Sequence, residues 1–133
     1  MSEPTVLIVE DNEANLHLMK EVLKPLGFAI LVANDGEEGV RLARENVPDL
    51  IVMDIQLPVM DGLTATRLIK STPETCKIPI IAVTAHALLR DRENARKAGC
   101  NDYVTKPLNT RLFREKVRAF FQVAGAVPGN KQS

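Results

Sequence analysis

The sequence has no excess of either charge, only two cysteines and no long apolar run, and each shortage closes off a class of function. Seventeen Lys and Arg side chains balance 17 Asp and Glu. The surplus of positive charge that a free-standing nucleic-acid binder carries against phosphates is therefore missing. No apolar stretch approaches the roughly 20 residues of a membrane span. Met1-Ser2-Glu3-Pro4 opens acidic where a secretory signal would be basic. Cys76 and Cys100 form neither a Cys-x-x-Cys motif nor a disulfide framework, and they read as free thiols in a reducing compartment. The expectation is a soluble, cytoplasmic protein with neither nucleic acid nor membrane as partner. Gly and Pro, 7 and 8 of 133 residues, stay near the globular average, which excludes collagen-like and disordered chains. At this length one core buries about two-thirds of the surface of the unfolded chain without a disulfide or metal staple. The expectation is one domain, without a separate catalytic or output domain.

What is present is an alternation. Val6-Leu7-Ile8-Val9, Ala29-Ile30-Leu31-Val32, Leu50-Ile51-Val52-Met53 and Ile80-Ile81-Ala82-Val83 are continuous apolar runs rich in β-branched residues, the pattern of strands buried on both faces. Asp102-Tyr103-Val104-Thr105 is a weaker fifth. Between them lie helical periods, with Leu16, Met19, Leu23 and Leu26 in the first and Phe113, Val117, Phe120 and Phe121 in the last. Gly27 and Gly99 stand where left-handed helix caps want glycine. Asp35, three residues before Glu38, reads as a capping box opening the second helix. Pro48 and Pro73 stop helices, and Pro79 sits at a strand start. The order is (βα) five times over, which implies a parallel sheet with helices on both faces and right-handed crossovers. The segment 124–133 is small, polar and expected to fray.

Open parallel sheets bind ligands beyond the carboxyl ends of their strands. The first strand delivers Glu10-Asp11 there, the third Asp54, the fourth Thr84 and the fifth Lys106-Pro107. Clustered carboxylates repel one another, and a hard divalent cation with oxygen ligands, Mg²⁺ or Mn²⁺, relieves the repulsion. Cation, carboxylate, hydroxyl and lysine together suit phosphoryl transfer, in which a protein mainly positions groups and neutralises charge. Asp54 is the candidate nucleophile, forming an acyl phosphate. Any one of these acids alone would read as a loop or helix cap; five suitable groups at the ends of four strands do not.

From Val6 to about Val123 the chain resembles the receiver domain of two-component response regulators. The resemblance is carried by Glu10-Asp11-Asn12, by Asp54 followed by Leu57-Pro58-Val59-Met60-Asp61-Gly62, by Thr84-Ala85 and by Lys106-Pro107, in that order. It implies a flavodoxin-like, doubly wound (βα)5 fold with strand order 2-1-3-4-5, a receiver over residues 1–123 and a tail over 124–133. It implies phosphorylation at Asp54 by a histidine kinase or histidine phosphotransfer protein. The magnesium site would be Glu10, Asp11, Asp54 and the backbone carbonyl of Gln56, with Lys106 on the phosphoryl group and Thr84 moving toward it. It also implies a cis Lys106-Pro107 bond. The family's commonest acidic pair is two aspartates, and here Glu10 is the first member; its longer arm is expected to reach the metal through water. Gln56 and His86 occupy positions that influence how long the phosphoryl group survives. Neither is an acid able to activate water, so a fairly long-lived phosphorylated form is expected.

Tyr103 falls where the family places an aromatic that turns inward when the threonine moves, against the plainer reading of a packed strand tyrosine. Ala87-Leu88-Leu89 reads either as core or as part of the face of fourth helix, fifth strand and fifth helix through which receivers meet partners, with Leu112 a possible member. Arg90, Asp91, Arg92, Glu93, Arg96 and Lys97 read as a solvated helix face, and His17 as a surface histidine. An aspartyl-phosphate hydrolase would need a second acid two residues after Asp54, where Gln56 stands. A flavodoxin-type cofactor binder would not present Glu10-Asp11-Asn12 to a phosphate, and no P-loop motif is present. The expectation is a stand-alone receiver, monomeric or weakly dimeric, that signals by protein contact and is no enzyme beyond assisting its own phosphorylation and dephosphorylation. A phosphate sink and a receiver module of a hybrid-kinase phosphorelay remain open alternatives.

Overall fold

The structure, a computed structural model, describes residues 3–85 and 88–124. Five strands and five helices alternate: β1 (Thr5–Val9), α1 (Glu13–Leu23), β2 (Ala29–Ala33), α2 (Gly36–Asn46), β3 (Leu50–Asp54), α3 (Gly62–Lys70), β4 (Ile80–Thr84), α4 (Leu89–Ala98), β5 (Asp102–Thr105) and α5 (Thr110–Ala124). All strand pairs are parallel, in the order β2-β1-β3-β4-β5. The expected (βα)5 architecture and strand order are thus those observed. The tail expected over 124–133 lies outside the described residues apart from Ala124, which ends α5.

The period of two along each strand sorts its side chains onto opposite faces of the sheet. Val6, Ile8, Leu50, Val52, Ile81, Val83 and Val104 meet α1 and α5 through Met19, Leu23, Phe113, Val117 and Phe121. On the other face Leu7, Val9, Ile51, Met53, Ile80 and Ala82 meet α2, α3 and α4 through Val40, Ala43, Ala65, Ile69 and Ala95. Each fully buried Val, Leu or Ile contributes about 1.5–3 kcal/mol relative to exposure, and the three central strands are buried along nearly their whole length. β2 departs from the sequence reading. It is an edge strand with four of five residues only half-buried, because one side of its ladder has no neighbouring strand to cover it.

Helix ends follow the sequence signals with two refinements. Asp35 caps α2 by accepting the Glu38 amide at 2.8 Å. The return bond of a capping box is shifted, since the Glu38 carboxylate accepts from the Asn34 amide instead, at 2.7 Å. After α1 the chain makes a short 3-10 turn, Lys24–Leu26, before Gly27 ends it with φ 93°, and Gly99 ends α4 with φ 116°. Val47 caps α2 with φ 44°, a left-handed conformation that a β-branched residue adopts only under strain. Among the described residues no helix is long and apolar enough to cross a membrane.

Candidate functional site

Strand register gathers the expected residues at one edge of the sheet. β1 ends at Val9, paired with Met53, so Glu10 emerges beside Asp54, the last residue of β3. The Glu10 amide donates to the Ala33 carbonyl at 3.0 Å, holding the chain to the sheet for one residue past the strand. Thr84 ends β4, and its carbonyl accepts the Lys106 amide at 2.8 Å, which brings Lys106 over from β5. The Lys106-Pro107 bond is cis, as the resemblance implies.

Carboxylate oxygens of Glu10, Asp11 and Asp54 all lie within 4.8 Å of one another. Glu10 and Asp54 are each only 1% exposed, whereas Asp11 faces solvent. Lys106 Nζ lies 2.8 Å from Asp54 Oδ2 and 3.9 Å from Glu10 Oε2. The Gln56 amide donates to Asp54 Oδ1 at 2.9 Å, and the Asn12 amide donates to Glu10 Oε2 at 3.2 Å. Asn12 in turn caps α1 by accepting the Asn15 amide. Glu10 Oε1 is buried with no hydrogen-bond partner, and an orphaned carboxylate oxygen of this kind demands an explanation. A cation among the three acids would provide one.

Burial pushes the Glu10 carboxyl up to about 7 from its ordinary 4.5, helped by the hydrogen bond and the negative charge of Asp54 and opposed by the Asn12 amide and Lys106. The Glu10 carboxyl thus keeps its proton up to near neutrality. Oxygen-only donors, two of them buried and one open to solvent, suit a hard cation such as Mg²⁺ that keeps some of its water. The Glu10 carboxylate lies within the acidic cluster, one of its oxygens within 4.8 Å of ligand oxygens of Asp11 and Asp54.

The loop after Asp54 is built around close backbone contacts. A Cβ on Gly62 would collide with the Asp54 carbonyl oxygen, so only glycine lets α3 begin against the Asp54 backbone. The Gly62 amide donates to the Ile55 carbonyl at 2.9 Å, and Asp61 caps α3 by accepting the Thr64 amide at 2.9 Å. Val59 is exposed and has φ 68°, with the Met60 amide donating to the Pro58 carbonyl at 2.7 Å. That is a γ-turn through a β-branched residue, a strained arrangement of the kind functional loops retain. Aspartate is a residue type that favours helix starts, a signal that could have found Asp61; Val59 carries none.

Thr84 is buried at the end of its strand. His86 and Ala87 lie outside the described residues. Gln56 is exposed. Tyr103 is half-buried on β5, with the Arg92 guanidinium 4.8 Å from its ring centroid, a contact that sequence reading did not find. Leu88 and Leu89 are exposed rather than core, and Leu112 is exposed as well. Lys116 Nζ pairs with Asp102 Oδ1 at 2.9 Å and ties α5 to β5. His17 makes an exposed pair with Glu21 at 3.2 Å, one turn along α1.

A (βα)5 sheet with acids, threonine and lysine at its carboxyl edge defines a receiver-like signalling domain, and comparison with known proteins agrees. Residues 6–118 match the response regulator receiver domain family, and the chain belongs to that family. It is 42% identical over 116 residues to the polar-differentiation response regulator DivK of Brucella anthropi, a match covering 87% of this chain and 94% of that one. The receiver domain of the sensor histidine kinase PA1611 from Pseudomonas aeruginosa, solved with a magnesium ion coordinated in its active-site cleft, is 40% identical. It superposes with a TM-score of 0.81 over 93% of this chain and 99% of that one. The co-crystal structure of the yeast histidine phosphotransfer signalling protein Ypd1 with the receiver domain of its downstream response regulator Ssk1 contains a chain 30% identical. That chain superposes with a TM-score of 0.84 over 96% of this chain and 94% of its own length. The protein is thus a signalling receiver of the two-component class.

Proposed function

We propose that Asp54 accepts a phosphoryl group from a phosphohistidine on a sensor kinase or phosphotransfer protein. One Asp54 carboxylate oxygen forms the new O–P bond as the N–P bond to the donor imidazole breaks, and the imidazole nitrogen keeps the electron pair. The observation that carries this reading is the buried Asp54 carboxylate, oriented by the Gln56 amide at 2.9 Å and by Lys106 at 2.8 Å. Those two donors fix the carboxylate before the reaction and leave positive charge where phosphoryl oxygens arrive. Glu10, Asp11, Asp54 and the Gln56 carbonyl would hold Mg²⁺. Bound there, the ion supplies positive charge against the transferring phosphoryl oxygens. Thr84 supplies a hydroxyl to the phosphorylated state, and Tyr103 turns with it.

The lack of an acid at Gln56 supports a slowly hydrolysing phosphoprotein, with the chain's own chemistry limited to gaining and losing that group. Leu88 and Leu89, exposed where α4 begins, and Leu112, exposed on α5, support signalling through contact of the α4-β5-α5 face with a downstream protein. The free thiols of Cys76 and Cys100 support a cytoplasmic setting. Likeness to the receiver of a sensor histidine kinase favours a second reading, a module within a hybrid-kinase relay. The test is transfer of labelled phosphate from candidate phosphohistidine proteins to wild type and Asp54→Asn in Mg²⁺. Label on wild type alone is expected; equal labelling of the variant would refute the assignment.

A further inference from the structure

Tyr103 is the only tyrosine in the chain, and there is no tryptophan. Its ring packs against the cluster that contains Ala82, Ala95 and Cys100, and in register it lies opposite Ala82, two residues before Thr84. The Arg92 guanidinium of α4 sits 4.8 Å from the ring centroid. That is within the ~6 Å over which the negative face of an aromatic ring attracts a cation. Among the described residues Arg92 forms no ion pair, so the ring is the partner that holds its charged end.

α4 has few other anchors. Only Ala95 and Ala98 of the helix are buried, and Leu88 at its N-cap offers no side-chain cap. Methyl groups bury little area, so packing alone holds this helix weakly. Between α4 and β5 lies a cavity of about 350 Å³, walled by Leu89, Ala95, Arg96 and Cys100 together with Arg92 and Tyr103. The helix is thus separated from the sheet by space along part of its length and joined to it by the stack.

We infer that Arg92 is a positioning residue that holds the Tyr103 ring in the half-buried orientation seen here, against β4 and α4, and couples that orientation to the seating of α4. The inference rests on the reading of Tyr103 as a switch. Losing the contact favours the other orientation of the ring, by roughly two- to fivefold in population for a cation–π pair at an exposed site. Lysine in place of Arg92 keeps the cation and much of the effect.

With one tyrosine, the full chain carrying ring-¹³C tyrosine gives a single set of ring NMR signals. These are recorded in Mg²⁺ alone and in Mg²⁺ with beryllofluoride, a phosphoryl analogue. Arg92→Ala is expected to move the ring signal along the line joining the two wild-type positions, away from the end at which the ring–guanidinium contact is made, by the population change given above. Arg92→Lys is expected to lie nearer wild type. A wild-type ring that responds to beryllofluoride while the Arg92→Ala signals stay at the wild-type positions, or leave that line, overturns the inference and leaves the switch reading intact. A wild-type ring that ignores beryllofluoride overturns the switch reading, and the inference with it.

Discussion

Glu10 makes the metal-free protein's stability depend on pH, and Glu10→Gln isolates that dependence. The folded chain holds the Glu10 proton up to about pH 7, whereas the unfolded chain releases it near 4.5. Between those values the folded state binds more protons, so stability falls as pH rises and the loss is complete above the folded value. A gap of that size at about 1.36 kcal/mol per unit amounts to about 3 kcal/mol, undiscounted for solvent because the side chain is buried. Glutamine keeps the shape and a donor toward Asp54 but cannot ionise. Urea unfolding in EDTA at pH 5 and pH 8 should therefore show wild type losing up to about 3 kcal/mol across that range and Glu10→Gln nearly none. Excess Mg²⁺ should restore wild type at pH 8, since a ligand that binds only the folded state stabilises it. The same proton competes with the cation, so wild-type Mg²⁺ affinity should fall roughly tenfold from pH 8 to pH 6. Parallel pH–stability curves for the two proteins in EDTA would refute the reasoning.

Three further outcomes are expected. Lys106→Met removes the ammonium 2.8 Å from Asp54 and should slow phosphorylation by a small phosphodonor about a hundredfold at saturating Mg²⁺, without weakening Mg²⁺ binding; an unchanged rate would remove Lys106 from the site. Gly62→Ala forces a methyl onto the Asp54 carbonyl and should cost about 2 kcal/mol or more in urea unfolding; a neutral result would mean that α3 shifts freely. Val47→Gly relieves a left-handed β-branched residue and should raise stability by about 0.5–1 kcal/mol after the entropy of the new glycine is counted, read as a Tm increase of a few degrees.

The reach of sequence reasoning follows from what each feature depends on. Parallel strands bury both faces, so their continuous apolar runs located β1, β3 and β4 directly. The rule that parallel sheets place ligands at strand ends then singled out Glu10, Asp11, Asp54, Thr84 and Lys106 before any distance was known. β2 read as fully buried because its composition matches the central strands; only the strand order makes it an edge. The meeting of the Glu10 and Asp54 carboxylates, the Gly62 approach to the Asp54 carbonyl and the Arg92 stack on Tyr103 are contacts between residues distant in the chain. No local pattern announces them. Val47 and Val59 are harder still, since β-branched residues in left-handed backbone contradict the local preference that sequence reading relies on.

The central claim, an acyl phosphate on Asp54, is tested most directly by trapping it. Borohydride reduces an acyl phosphate to an alcohol, which converts a phosphorylated aspartate to homoserine. After phosphorylation by a small phosphodonor in Mg²⁺ and reduction, peptide mass spectrometry should find homoserine at position 54, and none when EDTA replaces Mg²⁺. Homoserine at Asp11, Asp61 or another acid, with position 54 unmodified, would contradict the account.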